Sequence, residues 1–469
     1  MRRNPLVLAL ALALPFSAIT GSVHAADLMQ TYELARSGDP QLAAAESGRL
    51  AQKEGAVQAR AAMLPQINGQ AGYARNDVDS TGAQIFGNQL LSSDTTQDTT
   101  SRDYGINLDQ MVFDRSRFTA LKSQKALSQA ADYDLEAAND SLITRTSAAY
   151  FNVLVSIETL AAAEAQQTAL QRQFDYAQKR LDVGLAPITD VHEARAQYDN
   201  ARANLILRRN GLQDAYQALA EITGQPITNL KGLPEDFRPE LPTAYDAEGW
   251  INTAVSQNPA LKSQEFVLQS ADANVETARA GHWPTLYLGG SYGGRRSDGT
   301  STDNIDQTVQ DFESESDSRS ISLSLNVPIF AGGATQSRVR QAIANRDATQ
   351  DFYEQQKRAI VRNTRNAYQV LEAGISEIEA RRLAVVSARA AYEASQVGLE
   401  VGTRTVLDVL INQQNLFNAQ QLYSLSRYNH LQNQLLLEQA AGTLDVSDVQ
   451  NINRLLTVDA EAQLAPSAP

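Results

Sequence analysis

Two nonapeptides hold the residues whose types and spacing could do electrostatic work: VGLAPITDV, residues 183–191, and VGTRTVLDV, residues 401–409. Both have Gly in second place and end in Asp-Val, so Gly184 and Asp190 answer Gly402 and Asp408, with Asp408 218 residues after Asp190. A glycine supplies the left-handed conformation that stops a helix. Pro187 suits the first turn of a new one. Thr405 and Asp408 have the Thr-x-x-Asp spacing of an N-terminal cap. An early-turn carboxylate complements the helix dipole by about 0.3–1 kcal/mol. The residues themselves therefore describe two charged helix-turn-helix corners.

Catalytic chemistry has no comparable footing. There is no cysteine, and the four histidines are scattered as His24, His192, His282 and His430. Neither a nucleophile elbow nor a metal-spaced histidine cluster is present. GGSYGG, residues 289–294, lacks the spacing of a nucleotide loop and reads as strand glycine. The expectation is a non-enzyme with no cofactor and no metal.

The corners need long elements to carry them. No Gly or Pro occurs from Asp114 to Val183, and only Gly374 interrupts Ala334 to Val397. Leu142, Thr146, Ala149, Val153, Ile157 and Leu160 recur at steps of three and four, making one helical face. A rod of some seventy residues is roughly 100 Å long, far beyond a globular helix, and needs neighbours packed along it.

The chain states this plan twice. SGDPQLAAAE, residues 37–46, matches SQNPALKSQE, residues 256–265, and ARAAMLPQI, residues 59–67, matches ARAGHWPTL, residues 278–286. Such self-similarity is an internal duplication. The expected organisation is a first repeat at 26–224, a Pro-rich link at 225–249, a second repeat at 250–442 and a partly ordered tail at 443–469. Within the repeats, helices are expected at about 114–183, 187–223, 334–401 and 405–441.

Each half also predicts a strand pair, at about 65–75 with 102–113 and 284–296 with 318–330, joined by long polar loops at 76–101 and 297–317. The last strand is clearest: Ile321, Leu323, Leu325, Val327 and Ile329 alternate with Ser320, Ser322, Ser324 and Asn326. Alternation alone usually marks a half-buried strand in a soluble sheet, but long loops at one end suit an outer-membrane barrel. Four strands cannot close one, since about eight are needed. Other copies must pair the edges, and two, three or four copies give 8, 12 or 16 strands.

Location follows from the start of the chain. Arg2 and Arg3, an apolar run at residues 5–16 and small residues up to Ala25 form a secretory signal at 1–25. Its removal deletes two Arg and no acid, moving the net charge from -14 to -16. An acidic exported chain without a basic cluster excludes nucleic acid as a partner. Without cysteine there is neither a disulfide nor an N-terminal lipid anchor.

Four segments then carry a resemblance: residues 148–154 (AAYFNVL), 183–199 (VGLAPITDVHEARAQYD), 281–286 (GHWPTL) and 401–410 (VGTRTVLDVL). In this order, within the duplicated frame, they resemble the TolC family of outer-membrane efflux and type I secretion channels over nearly the whole mature length. The resemblance implies an α+β membrane channel: a homotrimer whose four strands per chain form a 12-stranded transmembrane β-barrel above a long antiparallel α-helical barrel. It implies an equatorial belt from the link and the C-terminal region. It implies a conduit for drugs or proteins, working with a periplasmic adaptor (membrane fusion protein) and an ABC or RND inner-membrane transporter. It also implies roles at the turns, which become the periplasmic tip. Asp408 aligns with an acid ring that favours cations, and Arg404 with an arginine tying its turn to Thr189 and Asp190. The chain departs from the family pattern at Ile411, where a second acid is expected, and at Leu399, where a tyrosine is. The rival class is a non-conducting oligomeric coiled-coil or adhesin-like surface protein.

Overall fold

A computed structural model describes residues 27–464 except 87–88, 186 and 243–244. The expected signal at 1–25 lies outside the described residues.

The order of elements repeats itself. In the first half α1 (Leu28–Gly38), α2 (Pro40–Ala61), β1 (Gln66–Phe86) and β2 (Gln89–Phe113) precede α3 (Arg115–Asp182) and α4 (Ile188–Thr223). After a two-residue strand β3 (Lys231–Gly232) come α5 (Ala247–Gln257), α6 (Pro259–Ala280), β4 (Thr285–Asp303), β5 (Thr308–Asn326), α7 (Ala334–Glu400) and α8 (Val406–Ala441). The chain ends in α9 (Val446–Leu455) and β6 (Val458–Asp459). Corresponding caps recur in the two halves. Asp39 and Asn258 each cap a helix whose first residue is proline, and Gly224 and Gly442 each end one in the left-handed conformation.

α3 and α7 have 68 and 67 residues, so each is a rod of about 100 Å. α3 packs along α2, α4, α6 and α8, whereas α7 packs mainly on α6 and α8. Small and aromatic contacts fix the α3–α6 seam: Ser123 and Ser270 hydroxyls lie 2.8 Å apart, and Tyr133 stacks on Phe266 at 5.6 Å.

The sheet order is β1-β2-β4-β5, antiparallel throughout, with β2 and β4 joining the halves. Here the structure corrects the expected strand ends. The segments 76–101 and 297–317 are not loops for most of their length but continue the strands. β1 and β2 pair out to Phe86 and Gln89, and β4 and β5 out to Asp303 and Thr308. β5 stops at Asn326, so residues 327–330 lie outside it.

The main core sits partway along the rods, where Leu142, Tyr150, Leu154 and Ile157 of α3 meet Leu431 and Leu435 of α8 and Val449 and Ile452 of α9. The inter-half link enters this core. Tyr150 Oη donates to Lys231 O at 2.8 Å and accepts from Lys231 N at 2.9 Å. Arg427 Nη1 donates to Pro234 O at 3.1 Å while Nη2 reaches Glu158 at 3.2 Å. β3 of the link pairs with β6 of the C-terminal region. The expected partly ordered tail is therefore corrected through residue 464: α9 buries Val449 and Ile452, and Leu456 and Ala460 complete the core. Residues 465–469 lie outside the described set.

Candidate functional site

The two turns are built alike. In the first, Gly184 (φ 73°) follows α3, Gly184 N donates to Leu181 O at 2.9 Å, and Leu185 N donates to Arg180 O at 2.8 Å. In the second, Gly402 (φ 81°) follows α7, Gly402 N donates to Leu399 O at 3.2 Å, and Thr403 N donates to Gly398 O at 2.8 Å. This paired 5→2 and 6→1 closure requires a left-handed residue, which is why both corners have glycine.

The restarts differ. α8 opens with a full capping box: Asp408 Oδ2 accepts from Thr405 N at 2.9 Å and from Thr405 Oγ1 at 2.8 Å, and Asp408 N donates to Thr405 Oγ1 at 3.2 Å. Those bonds, with a smaller pull from Arg404, hold the Asp408 carboxyl below the usual carboxylate range against a modest desolvation. α4 opens on Pro187 without a side-chain cap, and Asp190 is the acid of its first turn. Thr189 and Arg404 are exposed; Asp190 and Asp408 are half-buried.

A residue the sequence reading passed over governs Arg404. Gly398 is buried in the last turn of α7, and a Cβ built on it would lie 2.6 Å from Arg404 Cγ. The arginine stem lies where that side chain would be, and Arg404 N also donates to Gly398 O at 3.1 Å. A helical glycine six residues before an arginine was the available signal.

Helix register decides which of these residues meet. Along α3 and α8, Gln432 bonds Thr144 O at 3.1 Å, Phe151 lies 5.9 Å from Tyr428, Gln166 bonds Gln414, and Leu170 packs on Leu410. That register carries Gly402 level with Gln178, six residues and about 9 Å short of Gly184. Phe174 stacks on Tyr198 at 6.2 Å, which sets Asp190 level with Asp182. Asp190 and Asp408 are then about 15 Å apart along the bundle. Accordingly, among the described residues no hydrogen bond or ion pair joins Arg404 to Thr189 or Asp190 within one chain.

The sheet at the other end has two unlike faces. Register places Ile67, Leu108, Ile106, Leu286, Leu288, Ile321, Leu323 and Leu325 on one face, with Ile321 87%, Ile67 70% and Leu323 65% exposed. Farther from the helices the same face carries Tyr73, Tyr104 and Tyr292, then Arg75, Arg102, Arg296 and Glu315. Asn68, Gln70, Asn107, Ser291, Ser318, Ser320, Ser322 and Ser324 form the opposite face. An apolar band ending at tyrosines, backed by a polar face, is the pattern of a strand between lipid and a water-filled lumen. Past Tyr292, β4 continues eleven residues, about 36 Å of strand, with both faces polar. No described helix is long and apolar enough to cross a membrane.

Comparison with known proteins gives this geometry its context. The family described as "Outer membrane efflux protein" matches twice, over residues 31–225 and 250–443. The chain is 34% identical over 442 residues to outer membrane protein TolC of Vibrio cholerae, covering 94% of this chain and 96% of that one. It is 33% identical over 469 residues to TolC of Escherichia coli, covering 99% and 92%. Among solved structures, the Campylobacter jejuni CmeC outer membrane channel superposes with a TM-score of 0.73 at 18% identity, over 97% of this chain and 98% of that one. That last likeness speaks for the fold. A non-conducting coiled-coil surface protein finds no support in these relatives, and the family is one of transport proteins, not enzymes. A match to both halves, with relatives a third identical over nearly the full length, makes this chain a member of the outer membrane efflux protein family, located in the outer membrane.

Proposed function

We propose that three copies of the chain close a twelve-stranded barrel in the outer membrane and a helical tunnel beneath it, gated at the staggered turns. The observation that carries this reading is the four-stranded sheet. It has one apolar and one polar face, and among the described residues its outer strands β1 and β5 each pair with one strand. Open edges and a lipid-facing band are satisfied together when copies join β5 to the next β1. Twelve strands give a lumen wide enough for water. The rods below are long enough to cross much of a periplasm.

At the tip, Arg404 is exposed and makes no bond to Thr189 or Asp190 of its own chain among the described residues, and its partner in the latch is the turn of a neighbouring copy. A guanidinium on a carboxylate or hydroxyl there is a charge-assisted bond, and a few such bonds hold the turns together. Three Asp408 carboxylates around one axis favour cations and obstruct anions. With Ile411 where a second acid would stand, one ring carries the selectivity.

Cargo, drug or protein, enters from an inner-membrane transporter of ABC or RND type through a periplasmic adaptor. Val183, Leu185 and Ile188, all more than half exposed around Gly184, offer the adaptor an apolar landing on the projecting turn. AprF of Pseudomonas aeruginosa, an alkaline protease secretion protein 29% identical to this chain, favours protein cargo; BepC of Brucella suis, an outer membrane efflux protein 24% identical, favours small-molecule efflux.

Single-channel recording in planar bilayers tests the proposal. The expected result is a small cation-selective current that grows in Arg404→Ser and loses selectivity in Asp408→Asn. An unchanged Arg404→Ser current removes the latch; a folded oligomer that passes no current removes the channel.

A further inference from the structure

The outward face of the sheet is interrupted at one place. Gly290 stands in the cross-strand row Leu108–Gly290–Ile321, directly beneath the row Ile106–Tyr292–Arg319. The missing side chain leaves a furrow lined by Ile106, Leu108, Tyr292 and Ile321 and closed at its outer end by Arg319. Packing does not demand glycine here. A Cβ on Gly290 would meet Leu108 at 3.7 Å, an ordinary contact, whereas one on Gly293 would lie 2.5 Å from Tyr104 O. The space is open on the side that faces lipid.

Arg319 is the unusual cation of this face. Its neighbours farther out are paired: Arg75 with Asp98 at 2.5 Å, Arg102 with Asp298 at 3.6 Å, and Arg296 with Glu313. Arg319 has no ion pair among the described residues, and its guanidinium lies 5.4 Å over the Tyr292 ring. The nearest acid on its own strand and face, Asp317, accepts from Tyr104 Oη at 3.4 Å. An exposed guanidinium at the outer edge of an apolar band, without a counter-anion in its own chain among the described residues, has planar donors that fit a phosphate oxygen pair.

We propose that the Gly290 furrow and Arg319 form a site for a phosphorylated, acylated glycolipid of the outer leaflet. One acyl chain lies in the furrow against Leu108 and Ile321, and one phosphate rests on Arg319. This rests on the barrel reading above, which puts the tyrosine edge at the outer surface of the membrane.

The test uses full-length protein in phosphatidylcholine nanodiscs doped with diphosphorylated lipid A or its dephosphorylated form, with bound lipid per chain counted by native mass spectrometry. The wild type is expected to retain diphosphorylated lipid A about ten-fold better than Arg319→Gln does, the scale of one charge-assisted bond. Removing the phosphates should cause a similar loss. Arg319→Lys should fall between, and Gly290→Leu should release the lipid while Arg319 remains. Equal retention by wild type and Arg319→Gln overturns the site, as does equal retention of dephosphorylated lipid A. Undiminished retention by Gly290→Leu would make it an anion site without a lipid furrow, which also overturns it. Subunit number read on the same samples, and conductance read in planar bilayers, test the channel separately: a chain that inserts without forming trimers refutes the channel, while lipid retained per chain still decides the site.

Discussion

Asp140 should make the protein less stable as pH rises, and Asp140→Asn should remove its share of that dependence. The carboxylate sits on α3 within the main core, 8% exposed, near Tyr32 of α1 and Glu136 of its own helix, with no side-chain hydrogen bond among the described residues. Burial, reinforced by Glu136, pushes its carboxyl from 3.8 up to about 7. A raised acid is protonated and unpenalised in the folded state at low pH. Above 3.8 the unfolded chain gives up its proton while the folded chain keeps it, so stability falls until about pH 7 and then levels. At about 1.36 kcal/mol per pH unit, that interval is worth at most about 4 kcal/mol per chain. Unfolding entropy of about 2.1 cal/mol/K per residue, over a chain of this length, converts this to a drop of about 4 °C in the melting point.

Differential scanning calorimetry at pH 5 and pH 8 captures about two of those pH units, about 3 °C of the drop, and hydrogen exchange of the α1 amides reads its local origin. Asp140→Asn should show a clearly smaller drop between the two pH values than the wild type and should exceed the wild type at pH 8. Glu438, buried on α8 facing Asp448 of α9, is raised from 4.5 to about 8 by the same cause, so its own slope runs across this whole interval and remains in that variant. A variant with the full wild-type slope below pH 7, or a wild type that gains stability between pH 5 and pH 7, would refute the reasoning.

Three further outcomes follow from the geometry. Gly398→Ala forces Arg404 Cγ away from a contact of 2.6 Å, so single-channel current should rise as in Arg404→Ser, although alanine by itself favours the helix by about 1 kcal/mol; an unchanged current would show that the arginine position does not matter. Thr405→Ala should cost the start of α8 about 1 kcal/mol, seen as faster hydrogen exchange at residues 406–410, while Asp408→Asn should mainly reduce cation selectivity measured by reversal potential; equal selectivity changes in both would reduce Asp408 to a cap. Arg427→Ala leaves Glu158 with hydrogen bonds from Ser424 and Tyr428 but without its cation, which should cost about 3–5 kcal/mol and lower the melting point by several degrees; a loss below about 1 kcal/mol would show that water reaches Glu158.

The sequence by itself carried what local chemistry dictates. Seventy residues without Gly or Pro, with apolar positions at helical spacing, mark a long helix, Gly184 and Gly402 are helix stops because glycine takes their left-handed φ at no steric cost, and Thr405 with Asp408 is a cap. The duplication was visible because both halves use the same stops at nearly the same spacing. Strand length was not visible. Beyond Tyr73 and Tyr292 both faces of the sheet are mostly polar, with only scattered apolar residues such as Val78 and Val309, so the alternation that marks a half-buried strand disappears, and the strands continue mainly on backbone pairing.

Only the tertiary structure decided which distant residues meet. Antiparallel register along α3 and α8 staggers the turns and keeps Arg404 from its own chain's Thr189 and Asp190, a fact set by side chains some 250 residues apart, such as Gln166 and Gln414. The same holds for β6 on β3, for the burial of Asp140 and Glu438, and for the single glycine that gives Arg404 its place. Periodicity fixes a residue's face on its own element. What that face meets depends on how far each element slides along its neighbour, and one chain's local sequence does not encode the slide.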